Sequence, residues 1–363
     1  MTNFDDLCSL ISNKVPYADL PYQNKTGVGH LLKDKYQQYL NATNTYLTIE
    51  PEICRNLLDA WESYINDPDE AYKQFSNAMR FIEEDILAVS KYYRKFRLNN
   101  YYKARYSSSD KLTKRSDLFH LPFRLKPCFF RYSTDKQHFL YLGATPYTCY
   151  MELGDSVKNT DDLYFSRYEL PDTYTLLSVG ILPYEMLDFV SKDHKLGVPD
   201  LEALLTHYIR ILPLIMASSI KKSTSTSTRD PEEYYIPQLL TRWVLDHHNT
   251  YDGIEYFSNA VPTHSRYNYR LYHNVVIPAK KELFTDFCPE LSNELKLTKP
   301  FCINGINLYG ENYTDPPIKA LLSNGRIPVP SDDNREVHYS TSGFHHIEYI
   351  LSTYPADYVF SQH

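Results

Sequence analysis

Apolar and polar positions alternate along the chain in two different textures. From Thr48 the spacing is helical. "TIEPEICRNLLDAWESYI" sets Ile53, Leu57, Leu58, Trp61 and Ile65 on one face, and "NDPDEAYKQFSNAMRFIEEDILAVSKYY" repeats the stripe with Phe75, Met79, Ile82 and Ile86. Asp67 and Pro68 mark the start of the second helix. Residues 1–40 read as an irregular start followed by a polar helix, and little before residue 95 reads as strand. The pattern therefore predicts a helical N-terminal domain over residues 1–98, closed by the basic "KYYRKFRLNN".

After Asn100 short apolar or alternating runs predict strands: "YYKARYSS", "CFFRYS", "HFLYLG", "DLYFSRYEL", "YTLLSVGIL", "YDGIEYFS" and "NVVIPAK". Helices interrupt them at "DLEALLTHYIRILPLIMASSI" and at "EEYYIPQLLTRWVLDHH", where Pro237 lies near the first turn. "STSTST" at 223–228 reads as a surface loop. Beyond 285 come turns, Pro-rich loops and a last helix, "GFHHIEYILSTY". The fold class is α+β: helices first, then a mixed sheet with helices.

Composition narrows the picture. The chain has 363 residues, 42% of them hydrophobic, with a formal charge of −7 and 34 tyrosines. That charge disfavours a general nucleic-acid binder, which needs a surface that neutralises phosphates. Six cysteines occur without a CxxC spacing or a Cys/His cluster, so no metal centre is expected. The N-terminus lacks a signal-peptide pattern, and the longest apolar run, "ILPLIMA", is too short to span a bilayer. A cytoplasmic protein with free thiols and no membrane attachment is the expectation.

One carboxylate stands out. "FLYLG" predicts a strand ending at Gly143, and "TPYTCYMEL" a helix capped by Thr145 with Pro146 at its first position. Glu152 falls two turns in, among Tyr147, Cys149, Tyr150, Met151 and Leu153. A helix apolar on nearly every face is buried, so Glu152 is expected in a cleft with a partner. A structural ion pair or a helix end reaching solvent would also satisfy it. Arg105 and Arg131, each between aromatic residues of an expected strand, are candidate cations, and guanidinium groups suit phosphates and carboxylates.

"ARY" (104–106), "LFHLPF" (118–123), "FRYS" (130–133), "FLYLGATPYTCYMEL" (139–153), "IPQLL" (236–240), "GIEYFS" (253–258) and "NVVIP" (274–278) occur in this order. Together they resemble the RES domain, named for its Arg, Glu and Ser, over roughly residues 100–280. The resemblance implies a fold like the ADP-ribosyltransferases. It implies residues 99–284 as an NAD+-degrading domain and 285–363 as a C-terminal extension packed on it. It implies cleavage of the nicotinamide–ribose bond by phosphorolysis or hydrolysis, with NAD+ as substrate, inorganic phosphate as a co-substrate in the first case, and no further cofactor. Such proteins are commonly toxins of bacterial toxin–antitoxin pairs, so an antitoxin or regulatory protein is the implied partner; self-association is open. The triad carries onto Arg105, Glu152 and Ser258, and the NAD+-lining positions onto Tyr106, Tyr141 and Arg131. His120, in "LFHLPF", is a further candidate for substrate contact or a core histidine bonded to backbone. The turn after Arg131, "STDKQH", lacks the glycine that the family often has there.

The chemistry is coherent with those residue types. Nicotinamide departure leaves an oxocarbenium-like ribose, which a carboxylate stabilises, while arginines answer the pyrophosphate. Tyr106 and Tyr141 would wall the nicotinamide ring. Ser258 would position the ribose or the attacking group; nothing in the sequence sets a base beside it. Three rivals stand beside this reading. Arg115/His120 and Arg242/His247 fit the R-x4-H spacing of HEPN ribonucleases. Protein ADP-ribosylation would use the same NAD+ pocket. A catalytically silent binding module follows if Arg105 and Glu152 do not share a cleft.

Overall fold

The computed structural model describes residues 3–361 apart from 14–21, 24, 45, 48–50, 128, 135–136, 222–230, 261–267, 282–284, 311–324 and 330–331. In chain order the elements are α1 (Phe4–Asn13), α2 (Val28–Thr43), α3 (Glu52–Ser63), α4 (Pro68–Tyr93), β1 (Asn100–Tyr106), β2 (His138–Gly143), α5 (Pro146–Leu153), β3 (Leu163–Glu169), β4 (Leu176–Ser178), α6 (Pro183–Lys195) and α7 (Leu201–Ser218). Then follow α8 (Tyr235–Asp246), β5 (Gly253–Phe257), β6 (His273–Ala279), α9 (Pro289–Glu294), β7 (Lys296–Leu297), β8 (Phe301–Cys302), β9 (Arg326–Val329), β10 (Asp332–His338), α10 (Gly343–Thr353) and β11 (Asp357–Tyr358). The chain is α+β, as expected.

Two compact units form, and they do not divide at residue 98. The first gathers residues 1–96, 129–134 and 175–259. Its N-terminal helices are not a separate domain, because α4 packs on α7, α8 and β4, and α1 packs on α6 and α7. The cause is visible in α4, whose buried stripe of Phe75, Ala78, Met79, Ile82, Ile86 and Val89 needs a partner surface. Asp67 caps this helix, accepting from the Glu70 N–H at 3.0 Å. Ile65 was expected on the core face of α3 but is exposed just beyond its end. α7 carries Pro213 inside it, which leaves the Ile209 carbonyl without its helical donor. Tyr39 fills the gap, its hydroxyl donating to Ile209 O at 3.0 Å. α7 is also the one helix, among the described residues, long and apolar enough to cross a membrane, and it is mostly buried. β4 and β5 pair in parallel.

The expected strand at "CFFRYS" is instead a turn over residues 129–134; Cys128 lies outside the described residues, as does "STSTST". The Ser133 hydroxyl accepts from the Phe130 N–H at 2.6 Å and donates to Phe130 O at 3.1 Å, so the segment satisfies its backbone locally.

The second unit comprises residues 97–128, 135–174 and 260–363. Its antiparallel strands run in the order β11-β7-β3-β1-β2-β6, with β8 also on β3. A β9/β10 hairpin stands apart. The C-terminal residues are not an appendage to this unit. They add β7, β8 and β11 to the sheet, and Leu308, Ile327, Val337, Phe344 and Ile347 to a core shared with Tyr102, Tyr147 and Phe165.

Candidate functional site

Glu152 is set by a short chain of local causes. β2 ends at Gly143, and α5 begins three residues later at Pro146 with Thr145 as its cap, accepting from the Thr148 N–H at 3.1 Å. The Thr145 and Thr148 hydroxyls both donate to Leu271 O, which ties the helix start to the segment before β6. A side chain at Gly143 would meet Cys149 Sγ at 2.8 Å and Asn274 Oδ1 at 3.4 Å. Glycine there lets α5 lie close on the sheet. Cys149 is buried, donates to Tyr102 O at 3.1 Å, and has its thiol pushed up to about 12 by that burial, so it is no nucleophile.

The helix ends at Gly154, whose φ of 50° turns the chain away. Glu152 sits in the last turn and is exposed, not buried as the apolar surroundings suggested. Eight residues make too short a helix to bury every face, and Glu152 takes the open one. Its Oε1 accepts from Asn274 Nδ2 at 2.6 Å. Asn274 was missed as a site residue; the signal was an amide in the otherwise apolar "NVVIP", register partner of the glycine that ends β2.

Strand alternation sorts the other candidates. Tyr102 pairs with Gly143, and Gly143 with Asn274, so these side positions share one face. Tyr106 and Tyr141 belong to that face by alternation, and Tyr106 packs on the same core as α5. Arg105 falls on the opposite face with Lys103 and Tyr101. Its Nη1 donates to Asp117 O at 2.9 Å, holding the turn at 113–118, and the rest of its exposed guanidinium has no partner among the described residues. The structure thus joins Glu152 to Asn274, sets Tyr106 and Tyr141 on the same face of the sheet, and leaves Arg105 on the other side of β1.

His120 leaves the site for the core. It is 1% exposed. Its Nε2 accepts from the Cys288 N–H at 2.8 Å and its Nδ1 lies 2.8 Å from Leu121 O, which fixes a neutral ring with the proton on Nδ1. Burial drives its pKa down to about 4, the Leu121 carbonyl opposing and His138 and Lys103 adding.

Arg131 and Ser258 lie in the first unit. Arg131 is committed to main-chain carbonyls: Ile220 O at 2.7 Å, Glu233 O at 3.2 Å and Ser218 O at 3.5 Å, with Tyr234 beneath the guanidinium at 5.0 Å. Its role there is to gather the ends of α7 and α8, which accounts for it without a phosphate. Ser258 follows β5 and is fully buried.

Neither ribonuclease-like pair converges. Arg115 is buried and donates through Nε to Leu297 O at 2.9 Å, while His120 is occupied as described. Arg242 lies over the Tyr72 ring at 3.9 Å and beside Asp69, and His247, just past the end of α8, stacks on Trp243 at 3.8 Å. Among the described residues no three His, Cys, Asp or Glu side chains gather as a metal site. Compared with known family models, curated proteins and solved structures, the chain matches none.

Proposed function

We propose that this protein cleaves the nicotinamide–ribose bond of NAD+, with Glu152 as the carboxylate that faces the ribose, on an ADP-ribosyltransferase-like second unit. The observation that carries the reading is the Glu152–Asn274 contact. It holds an accessible carboxylate in one orientation beside a face that carries Tyr106 and Tyr141. A fixed negative charge stabilises the oxocarbenium-like ribose as the C–N bond breaks and its electron pair leaves with nicotinamide. Water or inorganic phosphate then forms the new C–O bond. Cellular NAD+ would fall, so a restraining partner such as an antitoxin fits this activity.

Strand alternation favours a second reading, a binding module without catalysis, because Arg105 and Glu152 lie on opposite faces of the sheet. One experiment separates the two. The purified chain is incubated with NAD+, with and without phosphate, and the products are identified by mass spectrometry. Nicotinamide with ADP-ribose means hydrolysis; nicotinamide with a phosphorylated ADP-ribose means phosphorolysis. Loss of either activity in Glu152→Gln, folded by circular dichroism, supports the assignment. Intact NAD+ under both conditions selects the binding module, and undiminished turnover in Glu152→Gln removes Glu152 from the reaction.

A further inference from the structure

The second unit contains a hollow of about 380 Å³ that none of the chemistry above uses. It is lined by the 123–127 segment, by Gln137 and His138 at the start of β2, by Ala279 at the end of β6, and by Lys281. Its position is distinct from that of Glu152. Asn274 and Ala279 are five residues apart on one strand, about 17 Å at a rise of ~3.4 Å per residue. His138 also alternates with Phe139 and Tyr141, so it lies on the other face of β2.

The walls are tied together rather than loosely adjacent. The Phe123 N–H donates to Asp286 O at 2.7 Å. The His138 Nε2 donates to Leu125 O at 2.9 Å, which leaves Nδ1 as the ring's acceptor when it is neutral. Gln137 Nε2 donates to Ala279 O. The Phe123 ring stands edge-on to His138 at 5.1 Å and lies 5.0 Å from His120, whose Nε2 in turn anchors the Cys288 amide.

The charge in this hollow is one-sided. Arg124, Lys126 and Lys281 line it. Arg124 is paired with Asp286, whereas Lys126 and Lys281 have no partner among the described residues. Nearby Lys280 is matched by Glu290 at 3.2 Å. Two lysines with no partner among the described residues thus line one concavity of a chain whose formal charge is −7. A concave, walled site focuses such a field and attracts anions. The hollow is also partly apolar: Phe123 backs it but is buried at 6% exposure, while Pro127 and Leu125, the latter 48% exposed, present open apolar surface. A bare inorganic ion would leave that surface unused. A ligand with a flat body and one phosphate would use both parts, and the volume is near the small end of ligand pockets, about 300–1,000 Å³.

We propose that this hollow binds a mononucleotide-sized phosphomonoester, its phosphate held between Lys126 and Lys281 and its planar body against Leu125 and Pro127. The assignment is independent of the reading of Glu152. Isothermal titration calorimetry of the full chain tests it, with adenosine 5′-monophosphate as the probe and adenosine and inorganic phosphate as its two halves. The nucleotide is expected to bind about tenfold or more tightly than either half, and its affinity to fall with added salt. Lys126→Met/Lys281→Met keeps the stems and removes the charges of two exposed side chains, so the fold is retained; it is expected to weaken binding about tenfold or more. Glu152→Gln is expected to leave it unchanged. No binding at millimolar nucleotide, equal affinity in the double variant, or weakening by Glu152→Gln alone would each overturn the proposal.

Discussion

Acid is expected to destabilise the protein through His120, and the size of the effect follows from its surroundings. In the folded chain the imidazole is buried, and its bare Nε2 accepts the Cys288 N–H. A proton on that nitrogen would both charge a desolvated ring and oppose an N–H donor. The folded pKa therefore falls from the ordinary 6.5 to about 4. The direction of the linkage is fixed by that depression. Above pH 6.5 the ring is neutral whether the chain is folded or not, and the stabilisation is complete. As pH falls from 6.5 towards 4, the unfolded chain takes up a proton that the folded chain refuses, and stability declines at about 1.4 kcal/mol per pH unit. Across the whole window the loss is roughly 3 kcal/mol. Two measurements check it. The His120 ring resonances, assigned by their absence in His120→Gln, are expected to titrate with a midpoint near 4. In urea unfolding, the stability advantage of the native chain over His120→Gln is expected to shrink by roughly 3 kcal/mol between pH 7 and pH 4, the other titrating groups being common to both. A resonance midpoint above 6, or an advantage that does not change with pH, would refute the tautomer and the burial assigned to this ring.

Other substitutions probe the remaining arguments. Gly143→Ala forces a methyl group to 2.8 Å from Cys149 Sγ and is expected to cost about 1–3 kcal/mol in urea unfolding, with partial recovery in Gly143→Ala/Cys149→Ala; an unchanged midpoint would mean that α5 does not rest on this glycine. Arg210→Met removes the guanidinium that holds buried Asp85 at 2.9 Å and leaves it with His207, at 2.6 Å, so a loss of about 3 kcal/mol is expected in urea unfolding; an unchanged midpoint would show that the Arg210 contact does not stabilise Asp85. On the proposed NAD+-cleaving reading, Asn274→Ala removes one hydrogen bond that orients the Glu152 carboxylate and is expected to lower NAD+ turnover about tenfold while leaving the product unchanged, whereas Asn274→Asp sets a like charge beside Glu152 and lowers it further; full activity in both would separate Asn274 from the reaction.

The long helices were legible because a sixteen- or twenty-six-residue stripe is read many times over, as α4 shows. The two-residue strands β7, β8 and β11 were not, since two residues cannot display an alternation, and the C-terminal segment consequently read as loops although it builds the sheet edge. "CFFRYS" failed for a different reason: Ser133 closes a turn on Phe130, and side-chain bonds to the local backbone leave no trace in hydrophobic period. The candidate site divides in the same way. That Arg105 and Tyr106 must face opposite sides of β1 follows from adjacency alone, so a pocket that takes both side chains from one face was already excluded by a strand assignment. Which of the two shares a side with Glu152 depends on register, and register here is set by contacts far apart in sequence. Gly143 lies against Cys149 and pairs with Tyr102 on one side and Asn274 on the other. Moving that register by one residue would exchange Tyr106 for Arg105 beneath α5. The small volume at Gly143 therefore decides more of the site's chemistry than any of its charged residues, because it selects the face of β1 on which Glu152 lies.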